Sequence, residues 1–364
     1  MRRLWLVVLS VLVLCGCTVT EKEAVFPPEI SIETVDVDLF TELPNAEGIT
    51  VFQDNVVVAN NTDEGSEYYL VSMDGKEAEL LVTFPGEKRD TDHVSTDTHL
   101  YLTTHETVLD DFLKVSKYVY RIYSCTLDSC EMIKEEIEVP VEWAISGPKY
   151  DLEVYNGDLY MMYTAGSTVG NKLFKYDEDS KEWTTVLEME NNVLEESLVA
   201  NDKYLGLTYT AYYDGGYILY FNLLTENHLS VDSFDLPYDS YSDYSTFNVE
   251  PILYNDHIAI PVRRKNHRAC NYLIHTDKYV EMENTVPCNF IPVMITEDMY
   301  ISTFGDKSQT LNKITADKVE SVKIDYENIK FTAFMNEFYV IDENTIINVA
   351  NNDGKWHIIH LSQK

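Results

Sequence analysis

One pattern recurs seven times along the 364-residue chain and limits the possible folds more than any other feature. Each copy has an apolar run, a tight turn that usually contains Asp, Asn or Glu, and a second apolar run that often contains Tyr. The second runs begin on average every 47 residues, at Val56, Leu100, Leu159, Tyr204, Ile258, Met299 and Phe338. A period of about 40–50 residues is typical of repeat proteins, in which each repeat is one supersecondary unit and neighbouring units stack to bury a common core.

A second hairpin follows several copies of this pattern. Clear examples cover residues 68–84, 172–189, 217–234 and 311–324. The runs are rich in Val, Ile, Tyr, Phe and Thr, which suit a pleated strand, and Asp-Gly, Asn and Asp supply the reversals between strands. Only residues 108–117 could hold one or two helical turns. The repeat therefore predicts antiparallel units of four strands.

We predict an all-β fold, a β-propeller of seven four-stranded blades that forms a single domain over residues 31–364. Six or eight blades are alternatives, and a jelly roll or two β-sandwiches would be the rival architecture. Two ways of closing the ring fit the sequence. Either residues 331–363 supply all four strands of the last blade, or residues 338–341 form its innermost strand and residues 31–40 add its outermost one.

The N-terminus has the features of an export signal. Arg2 and Arg3 precede an apolar run, Leu4–Leu14, that is too short to span a bilayer. The run ends in Leu14-Cys15-Gly16-Cys17, which resembles the lipobox of bacterial lipoprotein precursors. The resemblance implies cleavage before Cys17 and attachment of lipid to Cys17. An ordinary secretory signal with two incidental cysteines is the alternative.

This resemblance also implies an address. Residues 1–16 would be the signal peptide, and residues 17–30 a lipidated polar tether between the membrane and the folded domain. We expect the protein on the extracytoplasmic face of the cell membrane or outer membrane, held by its lipid anchor.

Four further cysteines, Cys125, Cys130, Cys270 and Cys288, lie in a chain predicted to be exported, where disulfides form. Cys125 and Cys130 flank a four-residue turn between two strand-like runs, so they would face each other across a hairpin. A Cys270–Cys288 bridge would then use the remaining pair. A thiolate zinc site is disfavoured because only one pair of cysteines is closely spaced.

The charge excludes one class of partner. The chain has 62 acidic and 27 basic residues, a formal charge of -35, and 45% hydrophobic residues. The apolar content is enough for a folded core, whereas the scarcity of Lys and Arg argues against nucleic acid as a ligand. At long range this charge favours cationic partners over anionic ones.

The sequence contains no recognisable catalytic, metal-binding or cofactor-binding motif. There is no nucleophile elbow, zinc-binding His pair or phosphate-binding glycine loop. His93, His99 and His105 recur at six-residue intervals that do not converge on one point, and His357 and His360 would face opposite sides of a strand. We therefore expect no cofactor and no metal, and an enzyme is less favoured than a binding protein.

Two segments are candidates for ligand contact. The first packs Tyr and Asp side chains into the connector between two repeats, where a propeller commonly binds ligands, and comprises Tyr238, Asp239, Tyr241, Asp243 and Tyr244. The second is the dense basic run 263–268, which either pairs with the acidic surface or contacts an anionic polymer. Either segment is also compatible with an ordinary solvated loop.

These observations favour a lipid-anchored propeller that binds a protein, peptide or glycan without catalysis. A glycan hydrolase or lyase with carboxylates at the channel mouth is one alternative. A structural component of an envelope assembly is another, and it would need an exposed apolar patch.

Overall fold

The computed structural model describes residues 26–43, 45–109, 115–140, 149–164, 171–189, 193–201, 203–213, 216–225, 228–235, 244–245, 252–254, 257–264, 269–275, 279–281, 286–287, 293–296, 298–304, 308–314, 319–324, 338–349 and 354–362. Almost all of them lie in strands or in the turns between strands. The one described helix, α1 (Leu39–Glu42), is a single turn.

The first strand, β1 (Glu29–Asp36), belongs to the last blade, and four regular four-stranded blades follow it. Blade 1 contains β2 (Glu47–Phe52), β3 (Asn55–Asn61), β4 (Gly65–Ser72) and β5 (Ala78–Pro85). Blade 2 contains β6 (Lys88–Ser95), β7 (Leu100–Leu109), β8 (Val115–Cys125) and β9 (Cys130–Pro140). Blade 3 contains β10 (Lys149–Tyr155), β11 (Asp158–Thr164), β12 (Asn171–Asp177) and β13 (Glu182–Met189). Blade 4 contains β14 (Val193–Ala200), β15 (Leu205–Tyr213), β16 (Gly216–Thr225) and β17 (His228–Asp235).

An irregular sheet of six shorter strands comes next, followed by two more regular blades. The irregular sheet contains β18 (Tyr244–Ser245), β19 (Ile252–Tyr254), β20 (His257–Arg264), β21 (Ala269–His275), β22 (Tyr279–Glu281) and β23 (Val286–Pro287). Blade 5 contains β24 (Val293–Thr296), β25 (Met299–Phe304), β26 (Ser308–Ile314) and β27 (Val319–Ile324). Blade 6 contains β28 (Phe338–Asp342), β29 (Thr345–Asn348), β30 (Lys355–Ser362) and, outermost, β1.

The second strand of blade 1 shows why runs of β-branched residues form these strands. Val56, Val57 and Val58 are successive residues that point to opposite faces of the sheet, yet all three are fully buried. Val56 and Val58 pack in one core cluster with residues of blade 6, and Val57 packs in another with residues of blade 2. Both faces of such a strand are covered by neighbouring blades, so its residues can be apolar on both sides.

The sheets form a closed ring. The first strands of neighbouring blades contact each other from β2 through β6 and β10 to β14, and β28 contacts both β24 and β2. The irregular sheet contacts blade 4 through β19 and blade 5 through β23. The fold is therefore an all-β propeller, as predicted, with six regular four-stranded blades and one irregular sheet.

Strand direction defines two faces of the ring. We call the end at which the first strand of each blade begins the front face, and the end at which that strand finishes the rear face. In blade 6, β28 runs to the rear, β29 returns, and β30 runs to the rear again, where Ser362 pairs with Glu29 at the start of β1. Both the first and the last described strands therefore have their terminal ends at the rear face.

The ring closes by the second of the two predicted schemes. Strand β1 pairs with β30 over its whole length, and Phe338 begins the innermost strand of blade 6. The expectation of helical turns in residues 108–117 is wrong where the chain is described, because Val108 and Leu109 continue β7 and residues 115–117 begin β8. Pairing across this long hairpin outweighs the local helical pattern.

One disulfide is present among the described residues. Cys125 and Cys130 are directly opposite each other in the β8–β9 hairpin, and their Sγ atoms are bonded. This pairing was predicted from their spacing around the turn. Cys270 lies in β21 opposite Val286, two residues before Cys288, which is outside the described residues.

Candidate functional site

The interface between blades 1 and 2 changes character from rear to front. Its rear half is apolar, with Phe52, Leu100, Leu102 and Cys125 all nearly or fully buried in one cluster. Two residues further along β7 the same side of the sheet carries Thr104, and then Glu106. The front half of this interface is therefore built from polar and charged side chains.

Strand register places two arginines in this front half. Arg89 on β6 pairs with Thr104 on β7, and Thr104 pairs with Arg121 on β8. Directly opposed residues point to the same face of a sheet, so both arginines face blade 1. Their side chains are only 14% and 11% exposed.

Arg121 holds two carboxylates of different exposure. Its Nη1 lies 3.0 Å from Oε1 of Glu87, and its Nη2 donates to Oε2 of Glu106 at 2.9 Å. The Glu87 side chain is 13% exposed, whereas that of Glu106 is 43% exposed. The guanidinium thus has a buried partner on one side and a solvent-facing partner on the other.

Glu87 receives further hydrogen bonds. Thr104 Oγ1 donates to its Oε2, and the Tyr123 hydroxyl lies 2.9 and 3.0 Å from its two oxygens. The Tyr123 ring stacks on Phe84 of blade 1 with centroids 4.1 Å apart. Burial, and next the charge of Glu87, raise the pKa of Tyr123 above its ordinary value of 10.0, so the phenol stays protonated and acts as a donor.

The connector between blades 1 and 2 fixes Glu87 in place. The Gly86 N–H donates to the Glu64 carbonyl at 2.6 Å, and Ser66 Oγ donates to the Glu87 carbonyl at 2.9 Å. Gly65 has φ +150°, and a Cβ there would lie 2.2 Å from the carbonyl oxygen of Phe84. This close approach of two backbones requires glycine.

A second ion pair lies closer to the ring axis. Arg89 Nη2 donates to Glu47 Oε2 at 2.6 Å, and the Glu47 side chain is 40% exposed. Strand β6 loses its regular register between Arg89 and His93. Beyond this bulge the His93 ring bonds to the Tyr339 hydroxyl of blade 6 at 3.1 Å. Bulges of this kind commonly re-aim side chains next to functional sites.

We refer to these groups together as the front-face network, which consists of Glu47, Glu87, Arg89, Thr104, Glu106, Arg121 and Tyr123. Its two arginines are largely enclosed, two of its three carboxylates face solvent, and the hydroxyls of Thr104 and Tyr123 complete the set. Such an arrangement can bind an oriented polar ligand through charge-assisted hydrogen bonds. It offers bidentate donors from arginine, acceptors from glutamate, and an aromatic edge.

The residues proposed from sequence lie elsewhere. Tyr244 begins β18, where it pairs with Arg264 of the basic run, so the backbone brings these two candidate segments together at the front face. The other connector residues, Tyr238, Asp239, Tyr241 and Asp243, lie outside the described residues, as do Cys17 and the rest of the lipobox.

The histidines are far from forming one site. His93 contacts Tyr339, His99 stacks beside Tyr101 near Glu178, and His105 lies against Tyr118 and Tyr120. In blade 6, His357 is buried while His360 is exposed. Each of these rings belongs to a different local environment.

Sequence reasoning missed the front-face network because its members are dispersed over residues 47–123. A signal was available in the register of two hairpins. Aligning the predicted turn at residues 126–129 with the turn before Leu100 places Thr104 opposite Arg121. The bulge between Arg89 and His93 brings Arg89 into the same row, and the turns alone do not predict that shift.

Two kinds of feature are absent from the described part of the chain. No helix in it has the length and apolar content needed to cross a membrane. No group of three or more His, Cys, Asp or Glu side chains in it is placed to hold a metal ion.

Comparison with known proteins supports the fold. No protein-family model matches the chain, and no curated protein matches it. An oligogalacturonate lyase from Vibrio parahaemolyticus is similar in structure, with a TM-score of 0.52, 11% identity, and coverage of 92% of this chain and 98% of that chain. An oligogalacturonate lyase in complex with manganese has a TM-score of 0.55, 10% identity, and coverage of 93% and 98%. At this identity the likeness shows a shared propeller fold.

Proposed function

We propose that the chain is a lipid-anchored, extracytoplasmic propeller that binds a protein, peptide or glycan at its front face. The observation that carries this proposal is the largely enclosed Arg121–Glu87 pair in the interface between blades 1 and 2, with side chains that are 11% and 13% exposed. Buried ion pairs are commonly no more stabilising than apolar residues of the same size, so packing alone does not account for one here. A ligand site accounts for it.

The direction of the chain supports the orientation in this proposal. Both Glu29 and Ser362 lie at the rear face. If the tether continues from this end of β1, a lipid on Cys17 would turn the rear face toward the membrane. The front-face network would then point away from the membrane and be accessible to ligands.

The blade count forms part of the proposal. We assign the irregular sheet, β18–β23, as a seventh blade between blades 4 and 5, because β19 contacts β14 and β23 contacts β25. In this arrangement Tyr244 lies at the front face, on the opposite side of the ring from the front-face network. An experimental structure in which the ring closed without this sheet would refute the assignment.

Ligand binding is tested with a glycan and peptide array, using the full-length protein with its native N-terminus. Arg121→Gln should weaken binding of any array ligand by about tenfold or more, because the variant leaves Glu87 without its cation. Lys76→Gln is the matched control, since it removes one positive charge from an exposed pair with Asp38 in which the side chains are 54% and 65% exposed. Equal binding by both variants and the native protein would exclude the front-face network as the site.

The connector is tested separately. Replacing Tyr238, Tyr241 and Tyr244 by Ala should weaken binding if this segment stacks on the same ligand. If binding is unchanged in the triple variant but lost in Arg121→Gln, the ligand contacts the network alone.

The anchor is tested by metabolic labelling with a radioactive fatty acid. The native chain should incorporate label and fractionate with membranes, and Cys17→Ala should do neither. Label in the variant would refute Cys17 as the attachment site, whatever the outcome of the binding experiments.

Cleavage of an acidic glycan is the second candidate. Two solved propellers that share this fold over more than 90% of the chain are oligogalacturonate lyases. The front-face network offers arginine, which could neutralise a uronate, beside glutamates that could accept a proton. Release of unsaturated product from oligogalacturonate, followed by ultraviolet absorbance and lost in Arg121→Gln, would replace the binding proposal by this one.

A further inference from the structure

We infer that the ligand of the front-face network carries carboxylates, and that Glu106 and Glu47 occupy positions on Arg121 and Arg89 that ligand carboxylates take. The inference rests on the proposed function, because it concerns what binds there. It gives the site an anionic ligand, although the protein itself has a formal charge of -35.

The two carboxylates on Arg121 are not equivalent. Glu87 is 13% exposed, and Thr104 and Tyr123 also donate to it. Glu106 is 43% exposed and bonds to Arg121 from the solvent side. Glu87 is therefore a fixed part of the site, whereas Glu106 can turn into water without leaving its charge buried.

Arg89 repeats this arrangement. Its side chain is 14% exposed, and its partner Glu47 is 40% exposed on the solvent side. Arg89 and Arg121 stand in one cross-strand row with Thr104 between them. Two strand spacings separate their backbones by about 10 Å. Two ligand carboxylates could thus bind to neighbouring arginines at the same time.

This exchange of carboxylates determines whether the site favours a negatively or a positively charged ligand. When a ligand carboxylate replaces Glu106, Arg121 keeps two anionic partners and Glu106 becomes solvated. A cationic ligand would instead pull Glu47 away from Arg89, or leave Arg121 with Glu87 but without Glu106. Removing an anionic partner from a largely enclosed cation is costly, so the local geometry favours an anion over a cation.

The electrostatic field of the whole protein has the opposite effect on an anionic ligand. A formal charge of -35 repels an approaching anion, and salt screens that repulsion. Because the exchange at Arg121 swaps one carboxylate for another, the contact itself changes little with salt. We therefore expect the affinity for a carboxylate ligand to rise with ionic strength, and the affinity for a cationic ligand to fall.

The test uses three probes measured by isothermal titration calorimetry on the full chain. The first is linear trigalacturonate, which has a carboxylate on every ring. The second is its methyl ester, which is neutral but otherwise of similar shape. The third is spermidine, a cation.

Variants change one carboxylate at a time. Glu106→Gln removes the exchangeable carboxylate and should tighten trigalacturonate binding several-fold, because the ligand no longer competes with it. Glu188→Gln is the control, since it removes an equal charge from a carboxylate that is 68% exposed and paired with Lys172. Arg121→Gln and Arg89→Gln should each weaken trigalacturonate by about tenfold or more. A thermal melt of each variant checks that it is folded.

The outcomes separate this inference from the proposed function. Tighter binding in Glu106→Gln but not in Glu188→Gln, with no binding of the methyl ester, supports the inference. If the ester or spermidine binds and Arg121→Gln abolishes that binding, the site is a ligand site but does not recognise carboxylates. If trigalacturonate binds to neither the native protein nor Glu106→Gln, the inference is wrong. Binding that no variant alters would refute both the inference and the site.

Discussion

Blade 1 makes two interfaces that are built differently. Toward blade 6 its charged groups lie at the rim, where the Lys76–Asp38 side chains are 54% and 65% exposed, and the core around Trp356 is apolar. Toward blade 2 the rear half is equally apolar, but the front half encloses Arg121 and Glu87 at 11% and 13% exposure. Both interfaces are buried, yet only one contains an enclosed ion pair among the described residues.

This difference suggests separate roles for the two interfaces, with one closing the ring and the other binding the ligand. The blade 6–blade 1 interface packs strands from opposite ends of the described chain against each other and so contributes to closing the ring, and apolar packing stabilises it most effectively. The blade 1–blade 2 interface is formed by sequence neighbours and can tolerate charges that add little stability. A site can therefore occupy its front half without opening the ring.

Removing Trp356 should have the largest effect on stability. Its side chain is fully buried, its ring lies edge-on to Phe40, and its Nε1 donates to the Met73 carbonyl at 3.1 Å. Trp356→Ala should lower the free energy of unfolding by about 4 kcal/mol, measured by urea denaturation, because it leaves a cavity and an unpaired carbonyl.

Trp183 supplies a control at a different interface. It also donates from Nε1 to a neighbouring blade, at the Ile133 carbonyl, but it is only partly buried. Trp183→Ala should therefore cost clearly less than Trp356→Ala. Equal losses of unfolding free energy in the two variants would show that the blade 6–blade 1 interface is no more sensitive to the loss of a Trp side chain than the interface that contains Trp183.

The ion pair should give the next largest effect. Arg121→Met leaves Glu87 buried without its cation and should cost about 2–3 kcal/mol. The double replacement Arg121→Met with Glu87→Leu makes the front half resemble the rear half, and it should recover most of that loss. The urea midpoints of the single and double variants measure the difference.

The same double variant should lose ligand binding. A stable protein that no longer binds would show that the pair serves recognition. If the double variant is much less stable than Arg121→Met, the pair contributes to packing, and the contrast between the two interfaces is smaller than the structure indicates.

Much of the fold was predictable because local pattern and turn chemistry agree. The predicted starts Val56, Leu100 and Met299 lie within one residue of the observed starts of β3, β7 and β25. The same pattern did not decide how the ring closes, because Phe338 could begin either the first or the second strand of the last blade. Pairing between residues some 300 positions apart, in β1 and β30, decides it.

The site was less predictable for a physical reason. Arg89, Glu87 and Arg121 become neighbours only through strand register and a bulge, and neither leaves a short motif in the sequence. The sequence instead drew attention to dense segments such as residues 238–244 and 263–268. A hairpin register inferred from turns can find cross-strand rows, but it cannot give the burial that distinguishes Glu87 from Glu106.

The backbone that carries Glu87 provides a smaller test. Gly65→Ala should lower the free energy of unfolding by about 1–2 kcal/mol, because the new Cβ meets the Phe84 carbonyl and φ is positive. Gly86→Ala is the matched control, with φ +78° but nothing within 4 Å of the added Cβ. Only Gly65→Ala should also weaken ligand binding, since it displaces the connector. Equal effects would mean that φ alone matters at both positions.

The smallest expected effect concerns pH and lies in blade 6, away from the network. His357 is 2% exposed, with Thr34 Oγ1 3.1 Å from its ring, and burial, then Lys355, lower its pKa below the ordinary 6.5. The unfolded state binds the proton more readily, so His357 stabilises the fold above about pH 6.5 and loses that contribution as pH falls.

Urea unfolding at about pH 7.5 and about pH 5.5 measures this dependence. The drop in stability on acidification should be smaller in His357→Gln than in the native protein. His360→Gln is the control, because His360 is exposed on the opposite face of the same strand. An equal drop in all three proteins would assign the acid sensitivity to other groups. A smaller drop in His357→Gln alone would identify His357 as a group that makes the stability of blade 6 depend on pH.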